Sequence, residues 1–202
     1  MIDPSLLRLI AITDNLRDGV DGLLVRAKSV TRGGATMVHL RLPDEPPRTL
    51  VRVARVMREE LPVPVIVHDR VDVALAARVA GVHLSPVELP PSAVRAHVPN
   101  GFIIGVSAAT EDDVQRVAGA DYVGVGPVFG NRPGDVAVLG TARLAELVRK
   151  CGLPTVAIGG INESTAASAV SAGACGVAVL SAIFAAGDPE RATRAIRSAI
   201  GT

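Results

Sequence analysis

Residues 155–183 read TVAIGGINESTAASAVSAGACGVAVLSAI, and their order of apolar run, break, periodic segment and second apolar run decides the fold. The first run, Thr155 to Ile158, stops at Gly159-Gly160. A segment of helical period follows over Glu163 to Ser171, Gly173-Ala174 punctuates it, and the second run spans Val177 to Leu180. Strand-like runs separated by a helix, with no hairpin signal between them, are parallel. The same unit recurs toward the N-terminus. Candidate strands lie at Leu7 to Thr13, Met37 to Leu40, Val63 to Val67, Gly81 to Leu84, Phe102 to Val106 and Tyr122 to Val125. Between and after the strands come candidate helices at Gly22 to Thr31, Arg48 to Leu61, Val71 to Arg78, Ser92 to His97, Glu111 to Val117, Thr141 to Lys150 and Glu190 to Ile200. Eight strands, each followed by a helix, predict an α/β chain forming a single-domain (β/α)8 TIM barrel over residues 1–202. A doubly wound sheet would normally use about five or six strands. Gly33-Gly34-Ala35, Ala80-Gly81, Gly119-Ala120 and Gly173-Ala174 each stand where a helix ends, and are expected to supply left-handed caps.

Composition narrows the function. The chain is 49% hydrophobic but only 2% aromatic, so Val, Ala, Leu and Ile must build the core and no base-stacking platform is available. Net charge is +1, and the lysines are Lys28 and Lys150. No broad basic field exists to hold a nucleic acid, so any anion site is local. No run is long enough to span a membrane, and the opening residues read as a first strand rather than a leader. Cys151 and Cys175 are too scattered for a disulfide framework or metal knuckle. They read as packing residues of a reduced, cytoplasmic protein. Outer helices rich in Ala and Val are compatible with an isologous homodimer.

Barrel chemistry sits just past the C-terminal ends of the strands. Thr13 and Asp14, His39 and Arg41, His68, Asp69 and Arg70, His83, Ser85 and Glu88, Ser107, and Gly126 to Arg132 occupy the first six ends. The last two carry Gly159-Gly160 and Ser181-Ala182. Paired glycines let backbone N–H groups approach an anion, and barrels frequently bind phosphate after strands seven and eight; a tight turn explains a Gly-Gly pair equally well. Alternation turns His39 and Arg41 inward if Val38 and Leu40 face the helices. Arg41 then binds an anion, or pairs with Glu88 or Asp69. His68 is a candidate general acid or base, or a loop histidine. Asp69 and Glu88 are a candidate Mg²⁺ pair. His83 is expected to pack within the barrel and His97 to face solvent. Phe129 to Leu139, FGNRPGDVAVL, is a candidate lid or a plain connection.

VHLR (38–41), VHDRVDVAL (67–75), AGVHLS (80–85), IIGVSA (103–108), GADYVGVGPVF (119–129), AIGGI (157–161) and GVAVLSAI (176–183) together resemble the thiamine-phosphate synthase superfamily, which includes the TenI-like thiazole tautomerases. The resemblance implies a barrel that binds a small thiazole-type phosphate, with Gly159, Gly160, Ser181 and Ala182 at the phosphate and Arg41 and Ser107 beside the substrate. It also exposes departures. The synthases' Gln-x-Arg-x-Lys is His39-Leu40-Arg41-Leu42-Pro43 here, so its lysine is missing. Their Asn-Asp is His68-Asp69, and their second metal acid falls on Glu88. Ser-x-His becomes Ser107-Ala108-Ala109, and Thr-x-Thr-Lys becomes Gly130-Asn131-Arg132-Pro133. The tautomerases' histidine after strand six is Pro127.

Losing two lysines removes cations that a diphosphate leaving group needs. The leading expectation is therefore a TenI-like tautomerase that requires no cofactor, with His39 or His68 moving the proton. The alternatives are a synthase joining hydroxymethylpyrimidine diphosphate to thiazole phosphate with Mg²⁺ on Asp69 and Glu88, a non-catalytic thiazole- or thiamine-phosphate-binding regulator, and an unrelated phosphosugar-isomerase-like barrel.

Overall fold

A computed structural model describes residues 2–87, 89–130 and 137–201. The strands are β1 (Leu9–Ile12), β2 (Met37–Leu40), β3 (Val65–His68), β4 (Gly81–Leu84), β5 (Ile103–Ala108), β6 (Tyr122–Val125), β7 (Thr155–Ile158) and β8 (Gly176–Val179). They close in sequence order into a parallel barrel, with β8 returning to β1 through Val177 opposite Leu9. The helices are α1 (Gly19–Arg32), α2 (Pro47–Glu60), α3 (Val71–Ala77), α4 (Pro91–Arg95), α5 (Glu111–Gln115), α6 (Gly140–Cys151), α7 (Ala166–Ser171), α8 (Ser181–Phe184) and α9 (Pro189–Ala199). The single-domain (β/α)8 barrel expected from the alternation is the observed architecture.

Strand alternation divides the apolar residues between two cores. Val38 and Leu40 of β2 face outward, into a cluster shared with Leu23, Ala27 and Val30 of α1 and Leu50, Val53, Ala54 and Met57 of α2. These helix positions recur every three or four residues, the spacing of one helix face. Met37, one residue earlier than Val38, faces inward and meets Ile10, Ile12, Ile66, Tyr122, Val156 and Ala178. Leu7, fully buried in the same inner cluster, ends a 3-10 turn over Pro4–Leu7.

That turn shortens the expected first strand. The Asp3 carboxylate accepts the Ser5 N–H at 2.9 Å, and Pro4 fixes the turn's first position. The seventh helix also starts later than its periodicity suggests. The Asn162 side chain accepts from both the N–H and the hydroxyl of Ser164, so residues 162–165 form a turn and α7 begins at Ala166. The short helix α8 begins at Ser181, where the sequence reading has only a strand end. Gly34, Gly119 and Gly173 take positive φ as expected of caps. Gly81 does not, and lies inside β4, where a Cβ would fall 2.0 Å from the Ile103 carbonyl oxygen. Arg78 ends α3 in the left-handed region instead.

The link from β1 to α1 is held from within. Arg26, on the buried face of α1, donates to Asp18 at 2.6 Å, to Asp14 at 3.2 Å and to the Asn15 carbonyl at 2.9 Å. Asp14, a strand-end candidate, is thereby a structural partner. Among the described residues no helix is long and apolar enough to cross a membrane.

Candidate functional site

The inward alternation of five strands gathers the site's polar side chains. His39 on β2, His68 on β3, His83 on β4, Ser107 on β5 and Tyr122 on β6 line one cavity of roughly 210 Å³ together with Arg41, Ser85, Pro127 and Gly159. Tyr122 accounts for its centre. Its hydroxyl lies 3.0 Å from His39 Nε2 and 2.9 Å from His83 Nδ1, while His83 Nε2 lies 2.9 Å from Ser107 Oγ. Room for this row exists because its neighbours are glycines. A Cβ on Gly105 would sit 2.2 Å from Tyr122 Cζ and 2.5 Å from His83 Nδ1, and one on Gly124 would sit 3.1 Å from His83 Cε1.

Burial fixes the charge of the row. Desolvation, reinforced by the nearby imidazoles of His83 and His68, holds His39 well below its ordinary pKa. Desolvation, and then the charge of His68, pushes His83 down to about 3. The Tyr122 phenol moves well above its usual range, through burial and then the charge of Asp121. All three are neutral near pH 7. His83 therefore packs inside the barrel as expected, but its place in a buried polar row with Tyr122 is new.

Arg41 reaches the cavity from the end of β2. Thr13 pins its backbone: the threonine hydroxyl oxygen accepts the Arg41 N–H at 2.9 Å, and the hydroxyl donates to the Arg41 carbonyl at 3.1 Å. Among the described residues the Arg41 guanidinium forms no ion pair, so the pairing with Asp69 envisaged from sequence is not made, and Arg41 is the one Lys or Arg of the described cavity lining. Arg70 turns instead to Asp72.

Asp69 stands in the left-handed region with φ 60°, an arrangement a non-glycine residue holds only when its surroundings enforce it. The enforcement is visible. Its N–H donates to the His83 carbonyl at 2.8 Å, Oδ1 accepts the Ser85 N–H at 2.6 Å, and Oδ2 accepts the Ser85 hydroxyl at 2.9 Å. His68 Nε2 is 3.3 Å from Oδ2, and the His68 ring stacks on His83 with centroids 5.7 Å apart. His68 thus joins the site at the mouth rather than standing as an isolated loop residue. Asp69 offers Mg²⁺ the oxygen donor that ion prefers. Among the described residues no group of three His, Cys, Asp or Glu side chains forms a metal cluster. Glu88, and residues 131–136 of the candidate lid with Arg132, lie outside the described residues.

Gly159 and Gly160 have φ 92° and 67°. The chain after β6 lies against them: the Phe129 N–H donates to the Gly159 carbonyl at 2.9 Å, and a Cβ on Gly160 would meet the Gly130 nitrogen at 2.2 Å. Close packing is thus one reason for the pair, alongside any role toward an anion. Ser181 opens α8 and Ala182 packs against the outer core; Gly160, Ser181 and Ala182 stand beyond the cavity lining that includes Gly159.

Tyr122 is what sequence reasoning missed. It opens the apolar run YVGV and reads as an ordinary strand residue. The signal lay in its neighbours, since Gly105 and Gly124 on adjoining inward positions leave space for one large side chain.

The thiamine monophosphate synthase family model matches residues 9–183. A thiamine-phosphate synthase of Roseiflexus sp. (strain RS-1) is 42% identical over 198 residues, 95% of this chain and 84% of that protein. One of Xanthobacter autotrophicus is 39% identical over 207 residues, covering 99% and 98%. Among solved structures, a thiamine phosphate pyrophosphorylase from Pyrococcus furiosus superposes with a TM-score of 0.87 at 33% identity, covering 98% of this chain and 96% of that one.

Proposed function

The chain belongs to the thiamine monophosphate synthase family, and from that premise we propose that it is a thiamine-phosphate synthase, joining hydroxymethylpyrimidine diphosphate to thiazole phosphate. This places the synthase ahead of the tautomerase expected from the lost lysines. The observation that carries the reading is Asp69, a carboxylate held in a strained backbone at the mouth by Ser85 and His83. Relatives named for the same activity, matched over most of their length, support it.

The thiazole phosphate is assigned to the β7 and β8 ends, at Gly159, Gly160, Ser181 and Ala182. There α8 opens at Ser181, directly after the end of β8. Arg41 and Ser107 meet the substrates from the opposite wall. Asp69 and Glu88 are the residues that would hold Mg²⁺, which would supply the positive charge that a leaving diphosphate needs. Asp69 fits that duty in donor chemistry, since Oδ1 keeps a lone pair beyond its bond to the Ser85 N–H. Incubation with both substrates and Mg²⁺ is expected to yield thiamine phosphate. Asp69→Asn should lower kcat at least about 100-fold, within the range typical of a lost electrostatic contact. Absence of metal-dependent coupling by the unaltered protein overturns the reading.

A second reading, a thiazole tautomerase, is favoured by a different observation. Apart from Arg41 the described cavity lining carries no Lys or Arg, while four neutral hydrogen-bonding side chains cross its floor. Isomerisation of thiazole carboxylate phosphate without added metal is its test.

A further inference from the structure

The row Ser107–His83–Tyr122–His39 has a property that a set of independent polar residues would not have. Tyr122 carries one hydroxyl proton and faces two ring nitrogens, at 3.0 and 2.9 Å. It donates to one and must accept from the other. With both imidazoles neutral, only two arrangements satisfy every contact. In the first, the Ser107 hydroxyl donates to His83 Nε2, His83 Nδ1–H donates to Tyr122, and Tyr122 donates to His39 Nε2. In the second, His39 Nε2–H donates to Tyr122, Tyr122 donates to His83 Nδ1, and His83 Nε2–H donates to Ser107 Oγ. The tautomer of His39 is therefore tied to that of His83, and both to the hydroxyl orientation of Ser107.

We propose that these four side chains form an uncharged proton relay, taking a proton from one point of a cavity-bound heteroaromatic phosphate at Ser107 and returning one through His39. This deepens the tautomerase reading and rests on it. The step balances. A ligand proton passes to Ser107 Oγ as the Ser107 proton moves to His83 Nε2. The His83 Nδ1 proton moves to Tyr122, the Tyr122 proton to His39 Nε2, and the His39 Nδ1 proton to the ligand. As many bonds to hydrogen form as break, the ligand is isomerised, and no residue changes charge. Exchange with water then restores the first arrangement.

The surroundings suit a relay that must stay neutral. His39 is 2% exposed and His83 5% exposed, and Gly105 and Gly124 leave the row the width it occupies. A charged imidazole there would be desolvated at high cost. Ser107, half-buried, is the end most open to a ligand.

Two measurements decide the matter. In the ligand-free protein, long-range proton–nitrogen spectra of nitrogen-15 histidine read each ring's tautomer. Ser107→Ala should shift the tautomer ratio of His39, three places further along the row, and the double variant with Tyr122→Phe should lose that response. A His39 signal unmoved by Ser107→Ala, or one ring carrying its proton on Nδ1 while the other carries it on Nε2, overturns the relay whatever the protein catalyses. In the second, isomerisation of thiazole carboxylate phosphate is followed for the wild type and for Tyr122→Phe, which keeps the ring and its packing. A fall in kcat of about 100-fold with KM nearly unchanged supports the relay, and an unchanged kcat overturns it. A wild type with coupled tautomers but no isomerisation overturns the tautomerase reading and with it the transfer of a proton to ligand.

Discussion

At Gly105 a missing side chain determines where a large one goes. The inward space at this position belongs to the Tyr122 ring, and an added methyl would press on Cζ at 2.2 Å and on His83 Nδ1 at 2.5 Å. Neither neighbour can yield easily, since Tyr122 is fully buried and His83 nearly so. Gly105→Ala is expected to destabilise the protein by about 1–3 kcal/mol, the range for overpacking, read from the urea midpoint. A midpoint equal to that of the wild type would show that the ring has somewhere else to go. Such interior crowding explains what the sequence could and could not convey. His39 and Arg41 were legible as inward residues because Val38 and Leu40 flank them with the opposite preference. The contact of His39 with Tyr122 joins positions 83 residues apart, and no local spacing encodes it.

At the scale of elements, the strand and helix order was readable except for the short α8, because each βα unit repeats one pattern of apolar run, glycine and periodic segment. Boundaries moved where side chains compete with the backbone, as at Asn162 and Asp3. The expectation of a phosphate at Gly159 rests on position alone; that the same glycines seat the segment after β6 depends on a contact between loops. The β1–α1 link offers a test. Arg26 and Asp14 both have side chains only 9% exposed, and Arg26 also holds Asp18 and the Asn15 carbonyl. Arg26→Ala leaves a buried carboxylate without its cation and should cost about 3–5 kcal/mol. Lysine at this site should recover little, because a single ammonium cannot span three acceptors held by a planar fork. Comparing the two variants by urea unfolding checks both statements.

The whole molecule carries a pH dependence set by its interior. His39 and His83 have folded-state pKa values depressed below 6.5. The unfolded chain therefore takes up protons as pH falls through 6.5 while the folded barrel does not. Stability is complete above that value and is lost below it, by roughly 1 kcal/mol per pH unit for each imidazole. Urea midpoints at pH 7 and pH 5 should differ accordingly. A flat profile over that interval would mean that the two rings accept protons without opening the barrel.

Tyr122 is also the only tyrosine of a chain that has no tryptophan. Above the weak phenylalanine bands, its near-ultraviolet absorption and emission therefore arise from one phenol, wedged between two imidazoles at the bottom of the cavity. The protein is almost transparent at the wavelength usually used to measure concentration, so assays must quantify it by the peptide bond. In return, a ligand docking against Ser107 or Arg41 would alter the field around that single chromophore and announce itself without any label.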